Sequence, residues 1–461
     1  QPQRKKDGGD HSSPQPNGAD SEAQEGIELP ACSDEAIALK FADKHAGNLR
    51  YTHRWGQWHH FDGQRWSEDA TLLAFDLARH LCREAAEGAK PSEAKDTLSA
   101  KKRAAVVSLA REDRRLAATV DQWDTDPNVL NTPAGTIDLH TFEMRPHNPG
   151  DYITRMTAVA PGGDCPRWLR FVDEITGGDK ALAEFLQRMA GYSLTGDTSE
   201  HALFFAHGGG GNGKGVFMNT LIGIMGDYHR AAPIETFTAS MGDRHPTEVA
   251  MLRGARLVTS TETEEGRRWA ESKVKQLTGG DPVSARFMRQ DFFTYTPAFK
   301  LLVSGNHKPS LRSVDESIRR RFNLIPFLQT FSGDDRDPDL GERLKAEWPG
   351  ILQWMLDGCA DWRERGLAPP EAVTKATAAY LKAEDSLQAW ITERCEEMGE
   401  DSLARLNASW RQWAEQNGES PRTNKWLSAE LEKKGFEPDD RTKGKFFIGL
   451  RVSASVVYGA T

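Results

Sequence analysis

The residues best suited to chemistry are Gly208, Gly209, Gly210, Gly211, Asn212, Gly213 and Lys214, written GGGGNGK, followed by Gly215 and Val216. This GxxxxGK spacing lets main-chain N–H groups turn toward phosphate oxygens at a helix start, while the lysine reaches the outer phosphates. The apolar run ALFFAHG precedes the loop and the helix-like run GVFMNTLIGIMG follows it, which is the setting the motif requires. One letter departs from the pattern. Gly215 stands where a serine or threonine hydroxyl would meet Mg²⁺, so a metal here is expected to rely on water, phosphates and a carboxylate.

A phosphate-binding loop serves kinases, ATPases and GTPases alike, so other residues must choose among them. In RLVTSTETEEG an apolar strand runs into Glu262 and Glu264, which share one face of an extended chain. Glu262 is expected to hold Mg²⁺ and Glu264 to orient the attacking water, with Glu265 solvated. The run FKLLVSGNHKP ends in Asn306, whose amide can bond a γ-phosphate or the lytic water without adding charge. Arg319, Arg320 and Arg321 stand just before FNLIPF. An arginine at such a domain edge can enter a neighbour's nucleotide site, an effect of roughly 10³ to 10⁵ in rate.

These residues need a scaffold. At 461 residues the chain exceeds the roughly 250–300 residues of a single core, so two or three domains are expected. Residues 1–30 are nearly free of apolar side chains and read as a disordered linker. Residues 31–165 read as a mixed α+β domain. It opens on a hairpin around a DG turn carrying Trp55, Trp58 and Trp66, and two amphipathic helices follow. Within 166–365, four apolar runs bounded by turn residues predict buried strands of a parallel or mixed α/β sheet. Residues 366–461 show helical stretches and the strand KGKFFIGLRV, which together predict a winged-helix-like module.

Composition limits the function classes. A net charge of -9 excludes a surface that coats nucleic acid, so any such contact must be local. The five cysteines are scattered without CxxC spacing, which suggests neither disulfides nor zinc and fits a reducing, cytoplasmic setting. No apolar run approaches the roughly 18 residues needed to span a bilayer. Lesser candidates read as structural. Asp124 and Asp126 sit in a WDTDP turn, His59 and His60 lie on opposite faces of a strand, and His245 marks a capped helix start. Lys425, Lys433, Lys434, Lys443 and Lys445 suggest a locally basic C-terminal surface.

The order of motifs, with KQLTGGDPVSARFMRQDFFTYTPAFK between the acids and the asparagine, resembles the superfamily 3 AAA+ helicases. The likeness is to the poxvirus-type and phage/plasmid primase–helicase family, through GNGKGVF, STETEEG, KQLTGGDPVSARF, SGNHKP and RRRFNLIPF. The stretch DPNVLNTPAGTIDLHT is similar to the domain preceding that family's helicase core. The likeness covers most of residues 31–330 and, more loosely, the C-terminal module.

It implies a multidomain α/β chain with an AAA+ P-loop ATPase core over 166–365. Lys214 would hold the phosphates, Glu262 and Glu264 would be the Walker B acids, Asn306 the sensor, and Arg320 or Arg321 the arginine finger. Arg286, Phe287 and Arg289 would meet DNA on a hairpin projecting into a ring channel. Lys275 would either close the nucleotide site or contact DNA. The implied activity is an ATP- and Mg²⁺-dependent, hexameric, 3′–5′ replicative helicase acting on single-stranded and forked DNA of a phage, plasmid or integrated element. A primase–polymerase would be fused to it or act beside it. Two other readings remain: an ATP-switched DNA-binding initiator or loader, and a small-molecule kinase, which the acids, asparagine and arginines together disfavour.

Overall fold

The computed structural model describes residues 29–239, 247–261, 267–288, 291–311, 314–333, 337–417, 422–442 and 444–453. Most of the expected linker therefore lies outside the described residues, as do His245, Glu262, Glu264, Glu265, Arg289 and Lys443. The chain divides into two units, residues up to 60 with 68–120, and residues 61–67 with 121–461.

In the first unit, helices Asp34–His45, Leu73–Ala86 and Ala100–Ala110 surround a core of Phe41, Trp58, Leu81 and Val106. Strand Leu49–Thr52 pairs antiparallel with residues 57–60. That reversal falls at His53–Trp55 and Gly56, a turn additional to the expected one, where Asp62 accepts from the Gln64 and Arg65 N–H groups. Trp58 and Trp66 are buried and Trp55 is half-buried, so the tryptophans serve as core rather than as an open stacking surface.

The second unit is built on a five-stranded parallel sheet. Its strands in chain order are β1 (Leu203–His207), β2 (His229–Ala231), β3 (Leu257–Thr261), β4 (Lys300–Gly305) and β5 (Phe322–Pro326). The spatial order is β5-β1-β4-β3-β2. The strands read as continuous apolar runs because helices cover both faces. Phe204, Leu302 and Ile325 pack with Trp168, Phe185 and Phe217 on one side, while the alternate residues Phe205, Val303 and Leu324 pack with Trp269, Val274 and Tyr380 on the other. The carboxyl ends of β1, β4 and β5 lie side by side, and open α/β sheets bind ligands outside that edge.

Beyond the sheet, helices Ser386–Arg394, Leu403–Gln416 and Asn424–Lys433 enclose Trp390, Trp410 and Leu427. A small antiparallel sheet, in which Gly444–Ile448 lies between Glu400–Ser402 and Glu437–Arg441, completes this C-terminal module. Among the described residues, no helix is long and apolar enough to cross a membrane.

Candidate functional site

The glycine loop leaves β1 at His207 and enters the helix Lys214–Met225 directly. Two of its glycines are required by close approach. A Cβ on Gly208 would lie 2.2 Å from the Phe327 carbonyl oxygen, and Gly213, at φ +81°, would drive a Cβ to 2.5 Å from Ile175 Cγ2. Asn212 locks the loop, accepting from the Lys214 N–H at 3.4 Å and donating to the Phe327 carbonyl at 3.2 Å. The free N–H groups at this helix start, with the helix dipole behind them, favour an anion.

Lys214 is 7% exposed. Its ammonium donates to the Gly208 and Gly209 carbonyls at 2.6 and 2.9 Å and reaches Asn306 Oδ1 at 3.4 Å. Among the described residues these partners are all neutral, and burial pulls the Lys214 pKa below the usual lysine value. A buried cation without a countercharge is unfavourable, so a bound anion would relieve it. His207 shares this setting: burial, then Lys308, Lys214 and His307, hold its pKa below the usual value. A cavity of ≈ 270 Å³ opens beside the loop, walled by Gly211, Gly213, Val216, Phe171 and Leu340. Arg167 and Glu174, paired at 3.1 Å, line it too. They stand seven residues apart on one helix, a two-turn spacing that would have revealed a shared face in the sequence.

Asn306 follows β4 and is exposed beside Lys214, so the structure brings these two residues together. β3 ends at Thr261, opposite Ser304 of β4, and the two glutamates come next, outside the described residues. The three arginines occupy three environments. Arg319 is half exposed and pairs with Asp385 at 3.6 Å. Arg320 caps the short helix Glu316–Arg319 and is exposed, with no side-chain hydrogen bond or ion pair among the described residues. Arg321 is 5% exposed, and its guanidinium donates to Thr278 Oγ1 at 3.3 Å and to the Ser317 carbonyl and hydroxyl at 2.8 and 2.6 Å. Its hydrogen bonds hold this side chain within its own subunit, whereas Arg320 is open to solvent. Lys275 pairs with Asp315 at 2.5 Å, beside the arginine turn.

Strands Val283–Ala285 and Phe293–Tyr295 pair antiparallel, forming a hairpin where the sequence placed one. Arg286 is half-buried with its guanidinium 4.8 Å from the Phe292 ring centroid. Phe287 stacks on Phe293 at 5.6 Å and so belongs to the hairpin's own packing. The surface falls instead to Met288 and Phe292, 67% and 54% exposed, residues that the sequence reading passed over despite the DFF doublet. Arg253 lies 5.6 Å from the Phe293 ring and adds charge to the same hairpin.

The lesser candidates are structural. Asp124 accepts from the Thr154 N–H and Asp126 from the Asn128 N–H, both at 2.8 Å. Among the described C-terminal lysines, Lys433, Lys434 and Lys445 pair with Glu430, Asp385 and Glu432, which offsets part of the basic charge expected there. Lys425 is exposed.

Comparison with known proteins adds a second line. Residues 38–177 match a family described as D5 N terminal like, and residues 206–321 match a family of unknown function, DUF5906. "Putative helicase L207/L206" of Acanthamoeba polyphaga mimivirus is 27% identical over 232 residues, covering 46% of this chain and 24% of that protein. "Putative helicase 022R" of Frog virus 3 (isolate Goorha) is 25% identical over 335 residues, covering 67% of this chain and 33% of that protein. The chain thus spans a quarter to a third of the length of these relatives. Two solved structures of the NrS-1 C-terminal region (305–718) share its fold, with TM-scores of 0.54 and 0.51 at 11% and 10% identity. They cover 92% and 91% of this chain and 100% of each solved chain. The chain is thus similar to viral proteins named as putative helicases, and it carries a D5 N terminal like segment ahead of the loop-bearing sheet.

Proposed function

We propose that this chain is the ATP-driven motor of a ring-forming replicative DNA helicase, with an AAA+ core over 166–365 and a winged-helix-like module over 366–461. The observation that carries this reading is the Lys214 ammonium meeting Asn306 where β1 and β4 end together, at a loop whose close packing two glycines permit. In the proposed cycle the loop amides and Lys214 hold the phosphates, and Asn306 orients the γ-phosphate or the lytic water. Arg320 of an adjacent copy stabilises charge developing in the transition state. Glu262 and Glu264, at the end of β3, are the carboxylates proposed for metal and water. Each turnover shifts the hairpin, whose Arg286, Phe292 and Met288 grip one DNA strand, in the 3′–5′ sense of the family. A hexamer of such subunits and an associated primase–polymerase belong to the same proposal.

The open space at Gly215 leaves room for the hydrated Mg²⁺ proposed here, whose carboxylates Glu262 and Glu264 lie outside the described residues. A Cβ at Gly215 would meet nothing within 4 Å, and an ion that keeps several waters needs such open space. Bound there, the ion would neutralise phosphate charge. The same space accepts a hydroxymethyl group, so Gly215→Ser is expected to fold normally and to lower the Mg²⁺ concentration for half-maximal ATPase. An unchanged Mg²⁺ titration would show that position 215 does not face the metal.

The test of the whole reading pairs ATP hydrolysis, with and without single-stranded DNA, with displacement of a strand from a forked duplex. A helicase accelerates turnover on DNA and separates the strands. A nucleotide-switched loader binds ATP with little turnover, and a small-molecule kinase ignores DNA. Arg286→Ala and Phe292→Ala are each expected to weaken apparent DNA affinity roughly tenfold, about what one lost stacking or phosphate contact costs. DNA-free hydrolysis should change less. An unchanged DNA response in both variants would place the DNA site elsewhere.

A further inference from the structure

Asp385 stands between two bodies of the second unit. It ends the helix Glu371–Glu384 and starts the helix Ser386–Arg394, in a non-helical conformation at φ -86°, ψ 71°. The first helix belongs to the core: Thr377 Oγ1 accepts from the Leu324 N–H of β5 at 2.9 Å, and Glu384 accepts from the Leu311 N–H at 2.8 Å. The second belongs to the C-terminal module.

One carboxylate joins them. Its Oδ1 caps the second helix through the Gln388 N–H at 3.1 Å, and its Oδ2 takes the Lys434 ammonium at 3.0 Å and faces Arg319 at 3.6 Å. Lys434 also donates to Gln388 Oε1 at 2.9 Å, so the module's side of this link is braced twice. Asp385, Lys434 and Arg319 themselves line a cavity of ≈ 430 Å³, with Val314, Trp426 and Lys433, between the arginine turn and the module. Ile318, fully buried, roots the turn in the core, and polar ties complete its hold. Asp315 caps it through the Ile318 N–H at 2.9 Å and is itself held by Lys275. Arg321 anchors it inward and Arg319 anchors it to Asp385, leaving Arg320 free between two tethered neighbours.

We infer that Asp385 is a positioning residue through which the C-terminal module sets the direction of Arg320. This rests on the reading that Arg320 acts in an adjacent subunit's nucleotide site. The Arg319 end of the pair is 45% exposed and screened by solvent, so this contact contributes little to stability.

Asp385→Asn tests this cleanly, because asparagine caps a helix as well as aspartate does while the charge is lost. Asp385→Asn, Arg319→Gln and Lys434→Gln are each expected to lower the ATPase kcat of the assembled protein roughly three- to tenfold. ATP affinity and melting temperature should stay unchanged. The Asp385→Asn, Arg319→Gln double variant should fall no further than either single change, as residues acting through one contact do. In an Arg320→Ala background, Asp385→Asn should have no additional effect. A wild-type kcat in Asp385→Asn, a matching loss of ATP affinity, or an effect that persists without Arg320 overturns the inference. If Arg320→Ala is inactive but Asp385→Asn is normal, the inference alone falls. If Arg320→Ala is itself fully active, the finger reading falls and takes the inference with it.

Discussion

Lys214→Ala protein is expected to lose ATP hydrolysis by roughly 10² to 10³ or more, the range seen when one transition-state donor is removed, while keeping its fold. Both halves follow from the same geometry. The ammonium is buried at the loop, reaches Asn306, and has only neutral oxygens as partners among the described residues. Burial already disfavours its charged form, so truncation relieves a cost rather than breaking a favourable ion pair. Truncation also removes the ammonium's hydrogen bonds to Gly208, Gly209 and Asn306, so the two effects offset and the melting temperature without nucleotide should change little. With ATP at about a hundred times Kd, the intact protein gains about 2.7 kcal/mol of apparent stability from binding, and the variant should gain far less. Thermal melts with and without nucleotide, run beside a phosphate-release assay, separate the outcomes. A variant that turns over normally removes Lys214 from the site, and one that fails to fold shows that the lysine's role is structural.

Much of the scaffold for this site could be read directly from sequence, for a physical reason. Strands covered on both faces become unbroken apolar runs, and ALFFAHG, ARLVTSTE, FKLLVSGN and FNLIPF are β1, β3, β4 and β5. The short, polar β2, His229–Ala231, sits at the sheet edge and had no such signal. The meeting of Lys214 with Asn306 spans 92 residues, a separation that no local pattern encodes; motif order suggested it and strand pairing produces it. Side-chain direction was the illegible part. Arg319, Arg320 and Arg321 are the same letter three times, yet the turn after a four-residue helix sends one toward Asp385, one outward and one into Thr278 and Ser317. The hairpin shows the same limit. Outside its paired strands the period of two is lost, so nothing in FMRQDFF tells that Phe287 stacks inward while Phe292 is exposed. Lysines in the C-terminal module read as a basic surface because the carboxylates that pair with them are not all sequence neighbours: Glu432 meets Lys445, and Asp385 meets Lys434.

Separating the two inner arginines gives the second large effect. Arg320→Ala is expected to lower ATPase turnover by roughly 10³ or more, as loss of an arginine finger does, without a change in melting temperature, because its exposed side chain holds nothing in its own subunit among the described residues. Arg321→Ala should do the reverse. Its buried guanidinium makes three hydrogen bonds, to Thr278 and Ser317, and deleting it leaves those acceptors without a donor, a loss of about 1–3 kcal/mol. The melting temperature should drop by several degrees, and the hydrolysis lost should be recovered on cooling. Mixing decides whether Arg320 works across a boundary. Arg320→Ala and Lys214→Ala subunits, each inactive alone, form interfaces in which an intact arginine faces an intact loop, so mixed assemblies should regain a fraction of wild-type turnover that follows the mixing ratio. No rescue at any ratio, with mixing confirmed by subunit exchange, would mean that Arg320 does not complete a neighbour's site. Rescue by mixing with Arg321→Ala instead of Arg320→Ala protein as the partner carries no such meaning, because that variant still presents Arg320.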